Sequence, residues 1–166
     1  IDEELDIEGT YSVTLSAEDL AGNGGNDSVT FVFDRTPPGL TNSTVTTIGD
    51  LTAPYVDADG NVYTNSNMPT VTFNVWDNLS GFDVDGHGVI VVKDTSENTV
   101  SGIQHWTPSG LTAAATWAPL GPMSKGEYVA TLTVDDDAEN EAEFMYTFRI
   151  DTQDPNEVAC SSIWAG

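Results

Sequence analysis

GEYVATLTVDDDAENEAEFMYTFRIDTQDP, from Gly126 to Pro155, holds the clearest structural signal in the chain. It reads as an alternating strand, an acidic turn, a second alternating strand, and a stop at an aspartate and a proline. That is the closing hairpin of a β-domain. GTYSVTLSAEDLAGNGGNDSVTFVFDRTPP, from Gly9 to Pro38, aligns with it without a gap. Eleven of the thirty positions are identical: Gly9/Gly126, Tyr11/Tyr128, Thr14/Thr131, Leu15/Leu132, Asp19/Asp136, Ala21/Ala138, Asn23/Asn140, Thr30/Thr147, Phe31/Phe148, Asp34/Asp151 and Pro38/Pro155. They fall on the aromatic anchors, the turn asparagine and the closing Asp and Pro, the positions that a structural repeat keeps.

The offset is 117 in every pair, so one repeat unit runs from about Gly39 to Pro155. Residues 1–38 are then expected to be the last strands of a preceding unit, and residues 156–166 the first strand of a following one. Within the unit, short strands alternate with turn signals. STVTTIG (Ser43–Gly49) is a candidate first strand, and TVTFNVWD (Thr70–Asp77) places Val71, Phe73 and Val75 on one face with Trp76 on the other. GVIVVKD (Gly88–Asp94) is a nearly continuous apolar run, as a central strand would be, and TAAATWAP (Thr112–Pro119) is a weaker strand. The stretch around Trp106 reads as irregular. The expected fold is all-β, a two-sheet sandwich of about seven antiparallel strands.

GxYxxxLxxxD…AGN…TFxFDxTPP, as it stands in residues 9–38, resembles the closing strands of bacterial immunoglobulin-like modules, the repeats of large secreted surface adhesins. DNLSGFD (Asp77–Asp83) is similar to the loop after the second strand in that family. The second copy has AEN for AGN and TQDP for RTPP. The resemblance implies an extracellular, surface-attached location and a mechanical role in a stalk or filament. It names no ligand.

Composition narrows the function. Of 166 residues only four are Lys or Arg against 27 Asp and Glu, a formal net charge of −23. Four scattered cations cannot build a phosphate-binding surface, which excludes nucleic acid as a partner. Self-repulsion on this scale weakens a compact state unless counter-ions neutralise it. Two readings of the acidity stand side by side: clustered carboxylates that bind Ca²⁺, and a diffuse acidic surface suited to a salty habitat. Cys160 is alone, so no disulfide can form within this sequence. The long uncharged stretch Val100–Ser124 contains His105, Trp106 and three prolines and is not a membrane span.

Three acidic loops are candidate cation sites. VDADGNVYT (Val56–Thr64) presents Asp57, Asp59 and Asn61 at alternate positions, followed by the Tyr63 carbonyl, which is the oxygen spacing a hard cation such as Ca²⁺ takes. The twelfth position of a helix-flanked calcium loop would need Glu, and Met68 stands there. The same residues also suit a hairpin turn, since Asp-Gly between alternating residues favours one. DNLSGFDVDGHG (Asp77–Gly88) carries Asp77, Asp83 and Asp85 among glycines. DDDAEN (Asp135–Asn140) gathers four carboxylates around Asp136. Asp34 and Asp151 close the two repeats just before the linkers. A carboxylate there lies near the tip of the next unit, within reach of Asp77 or the acidic loops, so Ca²⁺ shared across the joint would neutralise charge and stiffen the array. Pro37 and Pro38 fix φ and remove donors, which makes the joint short and stiff.

No catalytic constellation stands out, and the chain is read as a non-enzyme. His87 and His105 are the only histidines, and neither Gly-x-Ser-x-Gly nor His-Glu-x-x-His occurs. Trp76, Trp106, Trp117 and Trp164 allow a carbohydrate-binding reading by aromatic stacking, set against ordinary packing. Asn26, Asn42 and Asn78 begin possible glycan acceptor triplets. The favoured expectation is a structural repeat of an adhesin stalk or surface filament, with neighbouring copies of the same repeat as partners and Ca²⁺ as the stiffening ion. The alternatives are a subunit that polymerises by β-strand donation between chains, and a polysaccharide-binding accessory module of a secreted enzyme.

Overall fold

The computed structural model describes residues 5–47, 54–84 and 88–152, which places Asp85, His87, Cys160, Trp164 and the expected first strand of a following unit outside the described residues. All regular structure within them is β. The strands are β1 (Gly9–Glu18), β2 (Gly24–Phe33), β3 (Gly39–Thr47), β4 (Tyr55–Val56), β5 (Val62–Thr64), β6 (Pro69–Trp76), β7 (Gly88–Asp94), β8 (Thr99–Val100), β9 (Gly102–Ser109), β10 (Thr112–Pro119), β11 (Gly126–Asp135) and β12 (Glu141–Ile150).

β1 and β2 form a two-stranded hairpin of their own. The remaining strands make a four-stranded sheet, β3-β6-β10-β9, and a six-stranded sheet, β4-β5-β12-β11-β7-β8. The pairs are antiparallel apart from β5 with β12, which run parallel. The two sheets lie face to face, giving a β-sandwich-like body. Alternation is what builds its core: Val71, Phe73 and Val75 point inward from β6, and Ala113, Ala115 and Trp117 from β10. Tyr128, Ala130, Leu132 and Val134 of β11 meet them from the other sheet, as do Phe148 and Ile150 of β12. Phe73 and Tyr146 contact edge-to-face across the layers at 6.4 Å. Burying such side chains, at about 1.5–3 kcal/mol each, supplies the main drive to fold.

Among the described residues the body has ten strands, β3 to β12, where about seven were expected; β4, β5 and β8 have only two or three residues. β3 begins at Gly39 and not Ser43. β7 is no central strand buried on both faces: Ile90 and Val92 are buried, Val89 and Val91 exposed, and its outer neighbour is the two-residue β8. The stretch around Trp106 is a full edge strand, β9. Pro108 is tolerated there because an edge strand leaves one row of amides outside the ladder. Trp106 packs edge-to-face on Phe82 and donates Nε1–H to the Asp83 carbonyl at 3.1 Å, while Trp117 is buried. Trp76 is exposed but lies on the backbone of Gly39, where a Cβ would fall 2.4 Å from the indole.

Candidate metal centre

One local turn is used four times. In each copy an Asp at position i faces an Asn at i+4, the Asp amide bonds to the Asn carbonyl, and the i+3 amide bonds back to the Asp carbonyl. The pairs are Asp19/Asn23, Asp57/Asn61, Asp94/Asn98 and Asp136/Asn140. Position i+3 takes a positive φ, met by Gly22 and Gly60 in two copies and by Glu97 and Glu139 in the others. The Asp carboxylate caps the loop by accepting amides at i+2 and i+4 and the Asn side chain. This D-x-x-x-N spacing is present in the sequence four times over and was readable there.

The turn accounts for the first candidate loop. Asp57 Oδ1 accepts the amides of Asp59 and Asn61, and Oδ2 accepts Asn61 Nδ2 at 2.8 Å and the Tyr63 hydroxyl at 3.3 Å. Asn61 above all, through its side chain, holds the Asp57 carboxyl below the usual range. Here the Tyr63 hydroxyl reaches the Asp57 carboxylate, and Asp59 is exposed.

The fourth copy is different because its aspartate is buried by neighbours. The loop after β6 is pinned by Asp77 N–H to the Leu111 carbonyl and by Phe82 N–H to the Gly110 carbonyl, both 2.9 Å. Gly81 has φ of +79°, and a Cβ there would lie 2.8 Å from the Gly110 oxygen, so the loop needs glycine. Asp137 then joins this loop to the β11–β12 turn: its amide donates to the Gly81 carbonyl, and its Oδ1 accepts the Asp83 amide.

The linker arrives at the same place from the other side. Glu8 accepts the Arg35 amide and the Thr36 hydroxyl, fixing the chain just after β2. Asp34 Oδ1 accepts the Thr36 amide at 3.0 Å, and Oδ2 accepts the Ser80 amide at 2.9 Å, a bond between residues 46 positions apart. Asn140 Nδ2 closes the joint by donating to the Asp34 carbonyl at 3.3 Å as well as to its own turn partner. Burial pushes the Asp34 carboxyl up, but hydrogen bonds from the Thr36 amide, the Ser80 amide and hydroxyl, and the Arg35 amide together more than offset this and hold it below the usual carboxylate range.

Asp34, Asp77 and Asp136 thus converge. One carboxylate oxygen from each lies within 4.8 Å of the other two, and the residues are only 6%, 3% and 0% exposed. Among the described residues this is the one acidic group with such geometry. Asp77 Oδ2 accepts the Leu79 and Gly81 amides and the Ser80 hydroxyl, whereas its Oδ1 is buried with no hydrogen-bond partner. Buried acceptors are nearly always satisfied, and buried charges are paired or bind metal. The four cationic side chains engage other groups: Arg35 lies over Phe33, Lys93 pairs with Glu97, Lys125 with Asp151, and Arg149 with Glu127. Three carboxylates, one of them with an unmatched oxygen, are of the donor type that a hard divalent cation takes.

Asp83 and Asp151, also candidates, are not members of this group; Asp151 donates its amide to Thr64 and pairs with Lys125 at 3.2 Å. No protein-family model matches the chain, and no curated protein is similar to it.

Proposed function

We propose that the chain is a tandem immunoglobulin-like repeat of an extracellular surface protein, an adhesin stalk or filament, whose units are locked end to end by Ca²⁺. The observation that carries this reading is the meeting of Asp34, before the proline linker, with Asp77 and Asp136, after it. Oxygens bound to one Ca²⁺ at 2.3–2.6 Å lie no more than about 5 Å apart, which the Asp34–Asp77–Asp136 group satisfies as it stands. A cation held there would tie the end of one unit to the tip of the next and cancel the repulsion of three clustered carboxylates. The short linker and the Glu8 clamp leave little slack for the joint to swing. The role is mechanical: to keep a rod extended and to make its stiffness depend on an ion abundant outside cells.

Calorimetric titration of Ca²⁺ into chelator-treated protein tests it. One site is expected, lost in Asp34→Asn, with NaCl of matched ionic strength giving no equivalent heat. Absence of saturable binding in the unaltered chain sinks the proposal and leaves general adaptation to salt as the account of the acidity.

A further inference from the structure

The hairpin β1–β2 has one apolar face and one polar face. Tyr11, Val13, Leu15 and Ala17 stand opposite Phe31, Val29, Asp27 and Gly25, while Thr10, Ser12, Thr14 and Ser16 line the reverse. The apolar face is open: Val13 is 55% exposed, Leu15 72%, Val29 61% and Phe31 40%. In the hairpin β11–β12 the counterparts at the offset of 117 are Ala130, Leu132, Tyr146 and Phe148; three of these are fully buried and Tyr146 packs against the core. A strand pair that alternates this cleanly is half of a packed layer, since two strands alone cannot bury a face.

The two hairpins also match in internal detail. Tyr11 stacks on Phe31 at 5.6 Å and 19°, and Tyr128 on Phe148 at 5.7 Å and 22°. Each tyrosine hydroxyl donates to the carbonyl four residues upstream, Ile7 and Ser124 respectively. Both hairpins end in the same Asp/Asn turn. β1–β2 therefore already has the shape that β11–β12 takes when covered.

We infer that the open face of β1–β2 closes a second sandwich, and that its occupant is a strand set of the kind formed by residues 39–125. In the body described above, that set supplies Val45, Val71, Phe73, Val75, Ala115 and Trp117 to the face opposite β11–β12. The closing position in this body is filled by β11–β12, so the set that covers β1–β2 belongs to another unit, joined ahead of it in the same polypeptide. The inference shares the repeat with the function proposed above but does not involve the cation.

The test joins a second copy of residues 39–124 ahead of Glu8 in the full chain, so that Ser124 of the added copy stands where Ile7 was. Hydrogen exchange is followed in chelator, which separates the result from cation binding. The amides of Val13–Ala17 and Val29–Phe33 are expected to exchange at least about a hundredfold more slowly than in the original chain. Leu15→Asp should abolish that gain and leave the Leu132 region unchanged. Asp27 and Val29 stand where β12 has Phe144 and Tyr146, so the joined chain is also made with Asp27→Phe and Val29→Tyr. Protection of the hairpin in either form supports the inference. Exchange as fast as in the original chain in both forms, or an added copy that stays unfolded in both, overturns it.

Discussion

Replacing Asp77 by Asn should reverse sign with the cation. The substitution is isosteric: the amide oxygen can keep the Leu79, Gly81 and Ser80 donors that Asp77 Oδ2 now accepts. The amide nitrogen then takes the place of the buried, unmatched Oδ1, and the cluster with Asp34 and Asp136 loses one of its three negative charges. An unsatisfied buried acceptor costs about 1–3 kcal/mol, so without metal the variant should be more stable than the original by about 1 kcal/mol or more. A module of about 110 residues has an unfolding entropy near 0.23 kcal/mol per kelvin, which makes this a rise of about 4 °C in Tm. With Ca²⁺ at a hundred times its Kd the original chain gains about 2.7 kcal/mol by mass action, or about 12 °C. Asp77→Asn should gain almost none of that, because a ligand and a charge are gone. Thermal melts followed by circular dichroism, in chelator and in Ca²⁺, give all four values. If the variant melts below the original in chelator, Oδ1 is not a source of strain and the reasoning fails. It fails equally if Ca²⁺ moves both proteins alike.

Other outcomes are expected from the same contacts. Asp34 has a lowered carboxyl pKa in the folded state, so its contribution is complete above the ordinary value of 3.8 and is lost as pH falls through its lower folded value; acid titration of Asp34→Asn should lack that step. Glu139 holds φ of +65° where the β1–β2 turn has Gly22, so Glu139→Gly should raise stability by about 0.5–1 kcal/mol, read as a higher urea midpoint. Gly39→Ala would push a Cβ into the Trp76 indole and should cost about 1–3 kcal/mol, with a change in tryptophan emission. Phe73→Ala empties the centre of the core and should cost about 3–5 kcal/mol, enough to broaden or abolish the unfolding transition.

The all-β class and the inward faces of β6 and β11 were legible because alternation records burial on one side directly. β9 was not, since its inward side chains are few and Pro108 argued against a strand, yet an edge position removes that objection. β7 misled for the opposite reason: Val89 and Val91 are apolar but face outward. As for the site, composition marked many aspartates and ranked none of them. Asp34, Asp77 and Asp136 each stood out in the sequence, but what separates them from Asp57 is burial by a neighbouring loop and the linker. That is a property of the tertiary fold. No local spacing carries it. The turn itself was readable from four Asp/Asn pairs, and with it the reason that most of these carboxylates are already occupied by amides.

The 117-residue offset also pairs Glu8 with Lys125, and here the two hairpins are unlike. Glu8 grips the linker amide of Arg35 and leaves Asp34 to its neighbours, whereas Lys125 reaches the corresponding aspartate, Asp151. A basic residue at that corner supplies in covalent form the positive charge that the other corner would draw from solution. Chains built from units that differ at this one position would have fasteners of two kinds, one opened by a chelator and the other by salt. Where along its length such a rod first yields would then be written in the choice between Glu and Lys.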